Sequence, residues 1–235
     1  TFTPWDNADA LIDRQYRDFL GRAPDDSGLA HYRGLLNTGQ RTPAWFIESL
    51  LNSPASQASA GLVFRLYRAY FLRDPDFEGF SFCLNRARTG AVAHALSSNF
   101  EAAGGFKSRY GAMTDATFVD TVYRNVLGRN ADPGGRAYWV DQLERRLITR
   151  GRLMLRFSES AENVRNIAWR TSIVLIHAHM VKRMPTEAAV NTWLQRFWTG
   201  ESSPQKLIDT FRTSNEYRNI VTASLRTTDK PAGDP

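Results

Sequence analysis

Four stretches of this chain carry one pattern, and that repetition constrains the fold more than any other feature. Tyr16-Arg-Asp-Phe-Leu-Gly-Arg-Ala-Pro-Asp-Asp-Ser-Gly28 aligns without a gap to Tyr123-Arg-Asn-Val-Leu-Gly-Arg-Asn-Ala-Asp-Pro-Gly-Gly135. Tyr67 to Gly79 is a second copy, and His177 to Ala189 is a worn fourth that keeps Arg183 and Pro185. Counted from Tyr16, Tyr67, Tyr123 and His177, the copies start 51, 56 and 54 residues apart.

The spacing within each copy predicts three helices. The first has apolar residues three, four and seven apart, which places them on one face. These are Ile12, Tyr16, Phe19 and Leu20, with Val63, Tyr67, Tyr70 and Phe71 in the second copy and equivalents at Val119 and Ile173 onward. Gly21 and Gly128 follow the last turn, where a left-handed cap is favoured. Asp25, Asp76 and Asp132 then stand where a second helix should begin, and a side-chain oxygen there can accept from the free amides of the first turn. Thr186 serves in the fourth copy. The second helix carries an aromatic anchor at Tyr32, Trp139 and Trp193; Cys83 fills that slot in copy two and reads as a small buried residue rather than a nucleophile. The third helix opens at Thr42-Pro43, Thr149 and Ser203-Pro204 and buries Phe46 and Leu50, Leu153 and Phe157, or Leu207 and Phe211. With one residue deleted, copy two supplies Leu96 and Phe100.

No segment alternates with period two. The expected fold is therefore all-α, a tandem array of four roughly 50-residue three-helix repeats. The glycine-containing stretch Ala103 to Asp115 is the expected boundary, which puts repeats one and two in residues 1–103 and repeats three and four in residues 113–226. Residues 227–235, polar with two prolines, read as a flexible tail.

Composition narrows the class. Across 235 residues, 42% are hydrophobic and 23% charged, which excludes a disordered, collagen-like or disulfide-stapled chain. No apolar run approaches the roughly 20 residues of a membrane span. The net charge is +6, and only four of the 30 basic residues are lysines. Arginine can grip phosphate or carboxylate bidentately, but these arginines are spread along the chain among 24 acids and read first as surface ion-pair partners. One cysteine allows no internal disulfide.

The string Phe118-Val-Asp-Thr-Val-Tyr-Arg-Asn-Val-Leu-Gly-Arg-Asn-Ala-Asp-Pro-Gly-Gly-Arg-Ala-Tyr-Trp139, with Phe157-Ser-Glu-Ser-Ala-Glu-Asn163 after it, resembles a bacterial family of uncharacterised helical domains. Its members carry Tyr-x-x-x-Leu-Gly-Arg-x-x-Asp-x-x-Gly-x-x-Tyr-Trp, occur in exported or surface proteins, sometimes beside RTX-type repeats, and are distantly similar to phycobilisome linker domains. The resemblance covers copies one to three well and copy four loosely. It implies a secreted or cell-surface interaction module of a bacterium, with a role such as adhesion, and it carries over no activity.

The loop between first and second helices is the obvious candidate for chemistry. Asp74-x-Asp76-x-Glu78-Gly79 looks like the start of a calcium loop, but its twelfth position is Asn85 rather than a bidentate glutamate, so helix capping explains the aspartates and no cofactor is expected. Arg22, Arg73, Arg129 and Arg183 recur in every copy, which points to a structural role: pairing with the loop aspartate or capping the preceding helix. The run Arg145, Arg146, Arg150, Arg152 and Arg156 could meet an acidic polymer. Trp45, Trp169 and Trp198 could stack on sugar rings. His177 and His179 point to different faces of a helix, so a shared metal is not expected. There is no nucleophile elbow, metalloprotease helix, phosphate loop or nucleic-acid motif. The expected function is a non-catalytic module that binds a surface protein or polysaccharide, the alternative being a glycan- or cell-wall-binding module that uses exposed aromatics. An enzyme is not expected, nor a nucleic-acid partner.

Overall fold

The computed structural model describes residues 1–90 and 93–228; helices joined by short turns make up the chain, and no strand occurs among the described residues. No helix there is long and apolar enough to cross a membrane.

The first helices follow the expected spacing. Ala8–Gln15, Asp115–Val122 and Ala168–Ile176 each run into one wider π turn, Tyr16–Leu20, Tyr123–Leu127 and His177–Val181. In the second copy the π turn comes earlier, at Gln57–Gly61, ahead of Leu62–Phe71. All four end on a left-handed residue. It is glycine at Gly21 (φ 71°) and Gly128 (φ 70°), but Leu72 (φ 56°) and Lys182 (φ 55°) in the other two. A side chain in that conformation costs roughly 1 kcal/mol or more, so the turn is imposed by the packing around it.

The second helices are Asp26–Asn37, Phe77–Arg88, Pro133–Glu144 and Glu187–Trp198. Each is capped as expected. The amides of Gly28, Gly79 and Gly135 donate to Asp25, Asp76 and Asp132 at 2.8, 2.7 and 2.8 Å, and that of Ala189 donates to Thr186 Oγ1 at 3.2 Å. The third helices are Pro43–Leu51, Ala93–Ala102, Arg150–Ser158 and Pro204–Arg212, with Thr42, Thr149 and Ser203 as side-chain caps. A further helix, absent from the sequence reading, follows each third helix. It starts at Pro54, Gly104, Ala161 and Asn215. Ser53 and Ser160 cap two of these through their hydroxyls.

The chain forms two compact units, residues 1–57 with 172–235 and residues 58–171. The first therefore holds copies one and four, and the second holds copies two and three. In the first unit, Gln15 Nε2 donates to the buried Tyr217 hydroxyl at 2.6 Å, Lys182 Nζ meets Asp18 at 2.8 Å, and Phe19 packs on His179 at 4.6 Å. In the second, the hydroxyls of Tyr70 and Ser97 both reach the Gly151 carbonyl, at 3.1 and 3.0 Å, and the buried Arg65 grips Glu159 through two hydrogen bonds of 2.9 and 2.7 Å.

This division differs from the expected one. Ala103 to Asp115 is no linker but lies inside the second unit. The helix Gly104–Tyr110 buries Phe106 and Tyr110, which pack at 5.1 Å on Tyr70 and 5.5 Å on Phe118. The helix Asn215–Thr228 runs past the expected start of the tail; residues 229–235 lie outside the described residues.

Candidate functional site

The repeated motif builds a corner between first and second helices, and each of its residues has a place there. The tyrosine ring leaves the first helix under the start of the second. The glycine three residues after the cap makes room for its hydroxyl: a β-carbon on Gly28 or Gly79 would stand 2.9 Å from the Tyr16 or 2.7 Å from the Tyr67 hydroxyl, and one on Gly135 would overlap that of Tyr123. The motif arginine lies over the same ring. The guanidinium carbons of Arg22, Arg73 and Arg129 stand 5.5, 5.7 and 5.1 Å from the ring centres of Tyr16, Tyr67 and Tyr123. Burial raises all three tyrosines above their ordinary titration range, Tyr67 to about 12.

The expected pairing of these arginines with the loop aspartate is slight. Arg22, Arg73 and Arg129 stay 3.9, 3.8 and 3.8 Å from Asp25, Asp76 and Asp132, with both partners exposed. The stronger partner is a glutamate in the helix that follows the third. Arg129 holds Glu162, and Arg183 holds Glu216, in each case with hydrogen bonds of 2.7 and 3.0 Å. The hydrogen bond from the arginine is the main reason both carboxyls sit below their ordinary range.

The fourth copy keeps the helix cap and the arginine–glutamate pair but alters two residues of the corner. Ala189 stands where the others have glycine, and His177 stands where they have tyrosine. A β-carbon at 189 leaves no room for a tyrosine hydroxyl, and the shorter imidazole fits. His177 is buried, its Nδ1 is 2.7 Å from the Ile173 carbonyl, and burial lowers its pKa.

The anchor of the second helix closes the corner. Tyr32 packs on Phe46 at 4.7 Å and Trp139 on Phe157 at 5.7 Å. Trp193 packs on Phe197 at 6.3 Å. Cys83, in that slot in copy two, is buried, and burial pushes its thiol up, which fits the inert reading. It fills much less of the slot than an aromatic, and a cavity of about 600 Å³ opens beside it. The sequence reading missed this cavity, although the signal, a cysteine in an aromatic column, was present.

The other candidates are not brought together. Asp74 is held by Arg170 through hydrogen bonds of 3.0 and 2.8 Å, and Asp76 caps its helix, so with Glu78 they form no ligand cluster. No group of three metal-binding side chains occurs among the described residues. Arg150 is not available to an acidic polymer: it donates to Asp115 and to the carbonyls of Tyr110 and Met113, and it stacks on Phe118 at 4.8 Å. Arg145 reaches Asp141 at 3.4 Å, Arg146 takes a left-handed turn position (φ 56°), and Arg152 is exposed. Trp45 is half-buried under Arg41, at 4.7 Å; Trp169 is 41% and Trp198 77% exposed.

Fold and corner together define an all-helical module organised by its own motif. Residues 97–167 match a family described as Domain of unknown function (DUF4214). The match lies within the second unit and contains the whole third copy of the motif. Neither a curated protein nor a solved structure matches the chain.

Proposed function

We propose that this chain is a non-catalytic interaction module of a secreted or surface-located bacterial protein, built as a tandem array of four repeats in which a further helix follows the three expected ones, and that it binds a surface protein or polysaccharide. The observation that carries the reading is the Trp198 indole, 77% exposed at the last residue of its helix. So large an apolar ring held outward on a rigid element favours a contact. The titratable groups support recognition over chemistry. The motif aspartates cap helices, His177 and His179 are buried, and the best-formed ion pairs join elements of the fold. The recurrence of one corner in copies one to three supports the repeat reading, and the altered His177–Ala189 pair extends it to the fourth. No cofactor enters the proposal. Trp198 also favours the glycan-binding reading, since a flat exposed indole can stack on a sugar face.

The test is retention of the purified chain on immobilised glycans and cell-envelope polysaccharides at low and physiological salt, alongside Trp198→Ala. Retention that survives salt and drops at least tenfold in Trp198→Ala supports polysaccharide recognition. Absence of retention shifts the partner to a surface protein. Turnover of any polymer, or unchanged retention in Trp198→Ala, overturns the proposal as stated.

A further inference from the structure

Copy two is the one whose corner is unfinished. In copy three, the Trp139 indole packs on Phe157 and Glu162 neutralises Arg129. Copy two has neither group: Cys83 stands in place of the indole and, after the one-residue deletion, Gly105 stands in place of the glutamate. Copy one also lacks the glutamate, with Ala55 there, but Tyr32 fills its aromatic slot. Only in copy two are both missing, and the cavity of about 600 Å³ lies there, within the range of roughly 300–1,000 Å³ typical of small-molecule sites.

The walls are Tyr67, Phe71, Leu96 and Phe100, with Cys83 and Gly105 at the vacated positions. Arg73, Arg86 and Arg109 also line the cavity. Arg73 stacks on Tyr67, and its nearest carboxylate, Asp76, is 3.8 Å away. Arg86 lies over Phe82 and Arg109 donates to the Tyr70 carbonyl at 3.4 Å; neither forms an ion pair among the described residues. Three guanidinium groups around an apolar, aromatic-walled cavity favour an anion with a flat apolar body.

We propose that this cavity binds a small aromatic carboxylate, its ring in the slot that Trp139 fills in copy three and its carboxylate on Arg73, where copy three places Glu162. Arg86 and Arg109, which also line the cavity, add positive field. An inorganic anion alone would meet the arginines but leave the aromatic walls uncovered. This inference does not depend on the surface reading built on Trp198.

The test is calorimetric titration of the full chain with indole-3-acetate, with indole-3-acetamide and inorganic phosphate as controls. Indole-3-acetate should bind, and the amide and phosphate should each bind about tenfold more weakly or worse, because a charge-assisted pair or the ring burial is lost. Arg73→Gln should weaken the acetate about tenfold. Gly105→Glu should weaken it similarly by giving Arg73 a carboxylate of its own; a β-carbon there meets only the Phe71 ring, at 3.7 Å, so this variant should fold. Cys83→Trp should abolish binding by filling the slot. No binding at millimolar concentration, equal binding of the amide or phosphate, or unchanged binding in Arg73→Gln and Gly105→Glu would each overturn the proposal. Those two exposed-site variants decide the matter should Cys83→Trp fail to fold.

Discussion

The Tyr67 hydroxyl lies 2.7 Å from the point a β-carbon on Gly79 would occupy. The same approach joins Tyr16 to Gly28 and Tyr123 to Gly135. Glycine is a poor helix former, by about 1 kcal/mol relative to alanine, yet it stands in the first turn of three second helices. Room for the hydroxyl outweighs propensity. Gly79→Ala should therefore destabilise the second unit by about 1–3 kcal/mol, as overpacking does. Tyr67→Phe should remove most of that loss in the double variant. Urea denaturation of the four proteins measures the coupling; additive losses would show that the hydroxyl is not the obstacle.

The fourth copy gives the reciprocal experiment. His177→Tyr should be strongly destabilising beside Ala189, and His177→Tyr with Ala189→Gly should recover, rebuilding the corner of the other copies. A double variant no more stable than the single one would sink the pairing of positions 177 and 189.

His177 also sets a pH dependence. Burial holds its folded pKa below the ordinary value of 6.5. The unfolded chain then binds more protons than the folded one between those two values, so stability falls as pH drops through about 6.5 and levels off below the folded pKa. Melting temperatures from pH 8 to 5 should decline, and His177→Phe should flatten the decline. An unchanged slope in that variant would assign the titration to another group.

At the helix start, Asp76→Asn should be tolerated and Asp76→Ala should lose about 1 kcal/mol, because the Gly79 amide then lacks its acceptor. Added calcium should leave both melting temperatures unchanged. A calcium-dependent shift in the wild type, lost in both variants, would restore the metal reading of this loop.

Arg65 is buried with only 4% exposure and holds Glu159, whose side chain is 30% exposed, through two hydrogen bonds. Arg65→Met should cost about 2–3 kcal/mol, less than a fully buried pair, since Glu159 can turn to water. Arg65→Met with Glu159→Gln should recover part of the loss. A loss below 0.5 kcal/mol, on the scale of ordinary surface changes, would refute the role given to the pair.

Much of this was legible before any coordinates. The caps at Asp25, Asp76 and Asp132, the left-handed Gly21 and Gly128, and the buried first-helix faces are local, and local chemistry shows in local spacing. The role of the motif arginines was half legible. Their structural character followed from recurrence, but the stack on tyrosine and the reach to Glu162 or Glu216 cross two helices and leave no short-range signature. The division into units was not legible, because it rests on contacts such as Gln15 with Tyr217 and Ser97 with Gly151, which join distant positions without any motif. The helix behind Ser160 was missed for a different reason: its capping serine was in plain view, in a stretch too short to show helical periodicity.

The make-up of the first unit has a consequence for how the chain is born. Residues 58–171 emerge from the ribosome as one uninterrupted stretch and can finish folding while synthesis continues. Residues 1–57 emerge earlier but must wait for Tyr217 and His179, the partners of Gln15 and Phe19, until the stretch beginning at Ser172 arrives. The segment made before the inserted unit is thus completed only after it, and the interval in which a chaperone or a protease could seize that segment is set by the translation time of the inserted unit.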